Sequence, residues 1–123
     1  ASFIGSMNFI PATINSAKKV KCNSIEINCD TGSFTENDSV QLAVRPEEIY
    51  FQQENQDDNV IPATIKEIEF LGSFQRVYFE AKSFTNELII VDVPSANARK
   101  IKLVIDKEIN LYFSKQDARI YST

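Results

Sequence analysis

The chain has 123 residues, 43% of them apolar, and a formal charge of −4 with no histidine. That length suffices for one domain or for two small lobes sharing a core, and no stretch approaches the roughly 18 apolar residues of a membrane span. The acidic balance counts against nucleic acid as a partner, whose capture rests on Lys and Arg neutralising phosphates; without histidine, imidazole triads are excluded, and two cysteines alone make no zinc site of the usual Cys/His type.

The first element is the pentapeptide IPATI at Ile10–Ile14, which recurs unchanged at Ile61–Ile65, 51 residues later. An internal repeat implies that one structural unit was used twice. Lys18, Lys19 and Lys21 follow the first copy and read as a solvated edge beside a turn. Ile25-Ile27-Cys29 then alternates with polar residues, as a half-buried strand does, and so does Val40-Leu42-Val44. Cys22 and Cys29 read as two reduced thiols. Arg45-Pro46-Glu47-Glu48-Ile49 reads as a single helical turn with proline near its start and acids in its first turn. The polar, acidic stretch Gln52–Asn59 has no periodicity and reads as a linker.

The second copy begins with Ile61-Ala63-Ile65, after which the apolar set moves to Ile68 and Phe70. That change of parity near Lys66-Glu67 predicts a bulge in a long bent strand, the kind a small Greek-key barrel needs. Val77-Phe79-Ala81 alternates, while Leu88–Val93 is almost continuously apolar and predicts a strand covered on both faces. Ile109-Leu111-Phe113 closes the set, and Ser114–Ala118 is a second helical turn. The strand-plus-turn from Val40 thus recurs from Ile109, 69 residues later, so the second copy is the longer. Turn residues at Asp30–Ser33, Glu36–Ser39, Pro94–Asn97 and Asp106-Lys107 separate the strands.

These elements predict an all-β chain of two OB-like lobes, small Greek-key barrels with short helical turns. The first lobe is 1–51, the linker 52–59 and the second lobe 60–123. No GxxxxGK[ST] or GxGxxG stretch occurs. Glu67 and Glu69 share a strand face and read as solvated, and the clustered Phe70, Phe74, Tyr78 and Phe79 read as core or subunit interface. No secretory leader is legible, and the opening Ala1-Ser2-Phe3, without Met, points to a piece of a longer protein.

The ordered set FIGSMNFIPATI, VQLAVRPEEI, NVIPATIKEIEFLGSFQRVYFE and INLYFSKQDARIY, from Phe3 to Tyr121, resembles the TOBE-type C-terminal domain of ABC-transporter ATP-binding subunits. Those subunits serve importers of spermidine/putrescine, ferric iron, phosphonates and maltose. The family motifs fall on Phe3, Gly5 and Asn8, on Arg45, Pro46 and Glu47, and on Gly72. Asp106-Lys107 stands where the family often has Gly.

The resemblance implies a non-catalytic, regulatory and dimerising accessory domain, cytoplasmic and peripheral to the inner membrane. Its partners would be a second copy of the same subunit and, through a missing ATPase domain, the permease. ATP and Mg would belong to that missing domain, leaving this fragment without a cofactor. Membrane contact would be indirect, and nucleic acid is not a partner. The alternative it carries is a sensor of small oxyanions of the molybdate kind, for which Ser6, Lys66 and Ser73 are the candidate contacts. Gly5 and Gly72 are expected to permit a backbone angle or a close approach. Arg45 is expected to pair with an acid.

Overall fold

The computed structural model describes residues 6–123, so Phe3 and Gly5 lie outside the described residues. Among the described residues nine strands form two antiparallel sheets. β1 (Asn8–Ser16), β2 (Lys19–Cys22), β3 (Ile25–Asn28) and β4 (Ser39–Val44) stand in the order β3-β2-β1-β4. β5 (Asn59–Phe70), β6 (Phe74–Glu80), β7 (Ile89–Pro94) and β8 (Glu108–Phe113) stand in the order β7-β6-β5-β8. Each set is a three-strand meander whose fourth strand returns beside the first, the Greek-key arrangement of an OB-like lobe. The fold is all-β, as the alternating pattern predicts. Both copies of IPATI lie on the first strand of their meander.

The repeat explains a residue that strands usually exclude. Ile14 N–H bonds the Asp38 carbonyl on the β4 side at 3.0 Å, and Ile65 N–H bonds the Lys107 carbonyl on the β8 side at 2.9 Å. Peptide groups alternate direction along a strand, so the nitrogens of Pro11 and Pro62, three residues earlier, point the other way. On that side the register to β2 begins only at Thr13, and that to β6 only at Thr64. Each proline therefore sits on an edge where its missing N–H costs no ladder bond.

The lobes exchange their closing segments. A 3-10 turn, Pro46–Glu48, ends the first lobe, and another, Lys115–Asp117, ends the second. The last strand, β9 (Arg119–Ser122), does not remain with the second lobe; it pairs antiparallel with β4 in the first sheet, Ala43 opposite Arg119. At the equivalent place Tyr50 pairs with Tyr112 of β8, N–H to carbonyl both ways at 2.9 and 2.8 Å. The expected division at 1–51 and 60–123 is thus crossed in both directions. One hydrophobic cluster runs through both lobes, including Ile10, Leu42 and Val20 of the first and Ile61, Phe79 and Leu111 of the second. Each such side chain contributes about 1.5–3 kcal/mol relative to exposure.

The expected bulge in β5 falls between Ile65 and Glu67, where the register to β6 shifts. Beyond it β5 and β6 continue as a hairpin arm to the turn at Leu71–Ser73, with β7 paired along β6 as far as Phe74. The expectation for Leu88–Val93 is corrected: β7 is the outermost strand of its sheet, and only Ile89, Val91 and Val93 are buried. Ile90 is partly buried and Asp92 serves an ion pair, so the apolar run reflects one buried face and one half-covered face. The short helix α1 (Ser95–Ala98) follows β7.

Candidate functional site

The outermost strands β3 and β7 would each leave polar backbone groups unpaired. Two asparagines remove part of that cost. Asn8, at the start of β1, donates through Nδ2 to the Ile90 carbonyl at 2.8 Å and accepts from Ile90 N–H at 2.7 Å. Asn59, at the start of β5, donates to the Asn28 carbonyl at 2.9 Å and accepts from Asn28 N–H at 2.8 Å. Both asparagines are at least nine-tenths buried, and each reaches across to the other lobe. A primary amide is the group that fits, because it offers one donor and one acceptor in a single plane. Where these strands' successors turn, the lobes meet again: Ser24 N–H bonds the Ser83 carbonyl at 3.0 Å and Asn23 Nδ2 the Lys82 carbonyl at 2.9 Å.

On the outer face of the β5–β6–β7 sheet, Arg76 holds Asp92 through two bonds of 2.8 and 2.9 Å. The guanidinium also lies 5.8 Å from the Phe74 ring centroid. The Asp92 bonds raise the arginine's pKa. Glu69 accepts from Tyr78 Oη at 2.6 Å, and that bond raises the phenol's pKa. Between the two 3-10 turns, Arg119 Nη1 contacts Glu48 Oε1 at 3.4 Å. Burial and the facing Asp117 carboxylate nevertheless push the Glu48 pKa up. Both thiols are free and buried; burial pushes Cys22 up to about 12 and Cys29 up to about 11.

The residues singled out in sequence do not converge on one place. Asn8 is structural, as described. Pro46 is buried at the start of its 3-10 turn, and Arg45 is exposed. Among the described residues no acid pairs with Arg45, which corrects that expectation; its carbonyl accepts Glu48 N–H at 3.0 Å instead. Glu47 is exposed beside a cleft. Gly72 has φ of 84°, and nothing lies within 4 Å of where its Cβ would stand, so it serves backbone angle and not close approach. Ser6 Oγ accepts from Arg76 at 3.3 Å, Lys66 is engaged by Asp106 at 3.4 Å, and Ser73 offers its carbonyl to Ser95 N–H. These last three stand in separate local networks.

Clefts lie beside both 3-10 turns. One cleft of about 440 Å³ is lined by Lys18, Lys19, Asn28, Cys29, Asp57 and Lys115, among others. A neighbour of about 400 Å³ shares Asp30, Lys115 and Gln116 with it and adds Arg119. Most of the cations are already matched: Lys19 with Glu26 at 3.4 Å, Lys115 with Asp57 at 2.8 Å and Arg119 with Glu48. An anion there would have to compete with these carboxylates. At the repeat-equivalent place a cleft of about 510 Å³ is lined by Ile49, Tyr50, Phe51, Pro94, Ile101 and Ile109, with Glu47 and Glu54 at its rim. No group of three or more His, Cys, Asp or Glu arranged for a metal occurs among the described residues. No described helix is long and apolar enough to cross a membrane.

Asn59 was missed in sequence, yet a signal existed: the repeat is seven residues long, Asn-x-Ile-Pro-Ala-Thr-Ile, with Asn at its head both times. Arg76 and Asp92 were missed because nothing in sequence spacing sets the β6–β7 register that places them side by side.

A family model described as TOBE domain matches residues 42–120, from within β4 to the second residue of β9. The chain belongs to the TOBE domain family. A curated relative, the Fe(3+) ions import ATP-binding protein FbpC 2 of Rhizobium meliloti, is 24% identical over 99% of this chain. The chain spans 34% of that relative's length, about a third. The solved structure of the cytoplasmic molybdate-binding protein ModG, with molybdate bound, superposes with a TM-score of 0.84 over 100% of both chains at 10% identity. At that identity the likeness is one of fold. It places the double OB-like architecture of this TOBE domain among known ones.

Proposed function

We propose that this chain is the accessory domain of an ABC importer ATP-binding subunit, cytoplasmic and attached to the membrane only through its partners. The observation that carries the reading is the match of 99% of this chain to about a third of an importer ATP-binding protein, in a chain that belongs to the TOBE domain family. In this reading a separate part of the same subunit binds ATP and Mg, meets the permease and hydrolyses the nucleotide. The TOBE domain does no chemistry. It binds a second copy of itself and keeps two ATPase units at high effective concentration after hydrolysis parts them. The interlocked lobes support this reading, because a tether must stay rigid while the units it joins move.

Two measurements test it. The purified chain should release no phosphate from ATP with Mg present, and turnover by it would refute the non-catalytic reading. Sedimentation should show a dimer, and a monomer at every concentration would refute the tether.

A second reading, a small-oxyanion sensor, is favoured by the fold likeness to ModG alone. Ser6, Lys66 and Ser73 do not gather into a site, and the cleft lysines are matched by acids, so this reading is the weaker. Calorimetric titration with molybdate, tungstate and sulfate should be flat, and a saturable heat would reinstate the sensor.

A further inference from the structure

The arm formed by the β5–β6 hairpin carries an unusual surface. Phe70 at its tip is 75% exposed, the least covered large apolar side chain of the described residues, and Leu71 beside it is 44% exposed. The segment between α1 and β8 adds Val104 and Ile105, both more than half exposed. Arg99, Lys100 and Lys102 line the same segment, and none of them is in an ion pair among the described residues. On a chain of net charge −4, the exposed apolar hairpin tip is thus accompanied by unpaired cations on the segment between α1 and β8.

The matching surface is the cleft of about 510 Å³ beside the first 3-10 turn. Its lining is apolar at Ile49, Phe51, Pro94, Ile101 and Ile109, and it lies within the range of pockets that accept one bulky group. Its rim carries Glu47 and Glu54, which also lack ion-pair partners among the described residues. Tip and cleft are thus complementary in polarity and charge, yet within one chain they do not meet, since Phe70 is 75% exposed. They are fixed to one another: Ser95 bonds the Gly72 carbonyl through Oγ at 2.6 Å and the Ser73 carbonyl through N–H at 2.9 Å, and Ser95 directly follows Pro94 of the cleft. A knob and a hole linked in this way let a two-fold axis engage both at once, which closes the assembly as a dimer.

We propose that the occupant of this cleft is the Phe70-Leu71 tip of a second copy, inserted reciprocally, with Lys100 and Lys102 facing Glu47 and Glu54 of the other copy. The proposal rests on the homodimer reading above and names its interface. Buried aromatic anchors dominate such contacts, and the charges set register and partner choice.

Sedimentation equilibrium of the 123-residue chain tests it through two variants. Phe70→Ser with Leu71→Ser should weaken dimerisation at least tenfold while the monomer keeps its native circular dichroism spectrum, because both side chains are exposed. Lys100→Glu with Lys102→Glu should weaken it similarly, and adding Glu47→Lys with Glu54→Lys should restore it. A dimer indifferent to both variants overturns this interface while leaving the homodimer reading standing. A charge exchange that fails to restore association overturns the pairing of these rims. A wild-type chain that is monomeric throughout overturns both readings.

Discussion

Asn59 grips both polar backbone atoms of Asn28, at 2.8 and 2.9 Å, although the two residues belong to different lobes and lie 31 positions apart. Asn8 does the same to Ile90. The two clamps occupy equivalent positions of the repeat, and each satisfies both backbone groups of one residue on an outer strand of the other lobe. Removing one strands a partly buried amide N–H and carbonyl. Asn59→Ala and Asn8→Ala should each cost about 2–4 kcal/mol, measured by urea unfolding. Asn59→Asp should not rescue, because a carboxylate cannot donate to the Asn28 carbonyl.

The Arg76–Asp92 pair is half-sheltered and bidentate, so removing one partner leaves the other poorly solvated. Arg76→Ala and Asp92→Ala should each lower stability by about 1–3 kcal/mol, and the double variant by clearly less than the sum. Additive losses would show that the two side chains act independently.

Glu48 has a raised pKa in the fold, from burial and from the facing Asp117. The folded state therefore holds a proton more tightly than the unfolded chain, and this group's contribution to stability falls as pH rises from the ordinary glutamate value of about 4.3 through the raised one. Glu48→Gln should raise the thermal midpoint at pH 7, with the gain disappearing below pH ~4. A variant less stable than wild type at pH 7 would mean that the Arg119 contact outweighs the repulsion.

Gly72 turns the arm at φ of 84° with free space around its missing Cβ. Gly72→Ala should cost only the backbone term, about 1–2 kcal/mol, and Gly72→Asn less. A larger loss in chemical unfolding would reveal a steric role.

Cys22 and Cys29, buried and with thiol pKa values of about 12 and 11, should react with a maleimide at pH 7 only when the chain unfolds. Rapid labelling of native protein would contradict their burial.

Much of this architecture was legible in the chain. Alternation located the strands, the parity change at Lys66-Glu67 located the bulge, and IPATI located two equivalent strands. What sequence did not show was exchange. The Arg119–Ser122 strand has no alternation of its own to announce it, and Tyr50 makes one isolated bridge. Both are placed by long-range pairing and not by local pattern. The asparagine clamps were half legible: Asn8 stood out by family resemblance and Asn59 only by extending the repeat. The anion contacts expected at Ser6, Lys66 and Ser73 failed to gather because β5 and the arm carry them to different neighbours.

The central claim is that the two lobes close each other into one unit, and native-state hydrogen exchange at the Asn28 and Ile90 amides tests it most directly. Amides on outermost strands ordinarily exchange through local fraying. Here each is bonded to a buried asparagine of the other lobe, so both should exchange only with global unfolding, with the protection of the core strands β1 and β5. Rapid exchange at these two amides, with β1 and β5 still protected, would contradict the interlock.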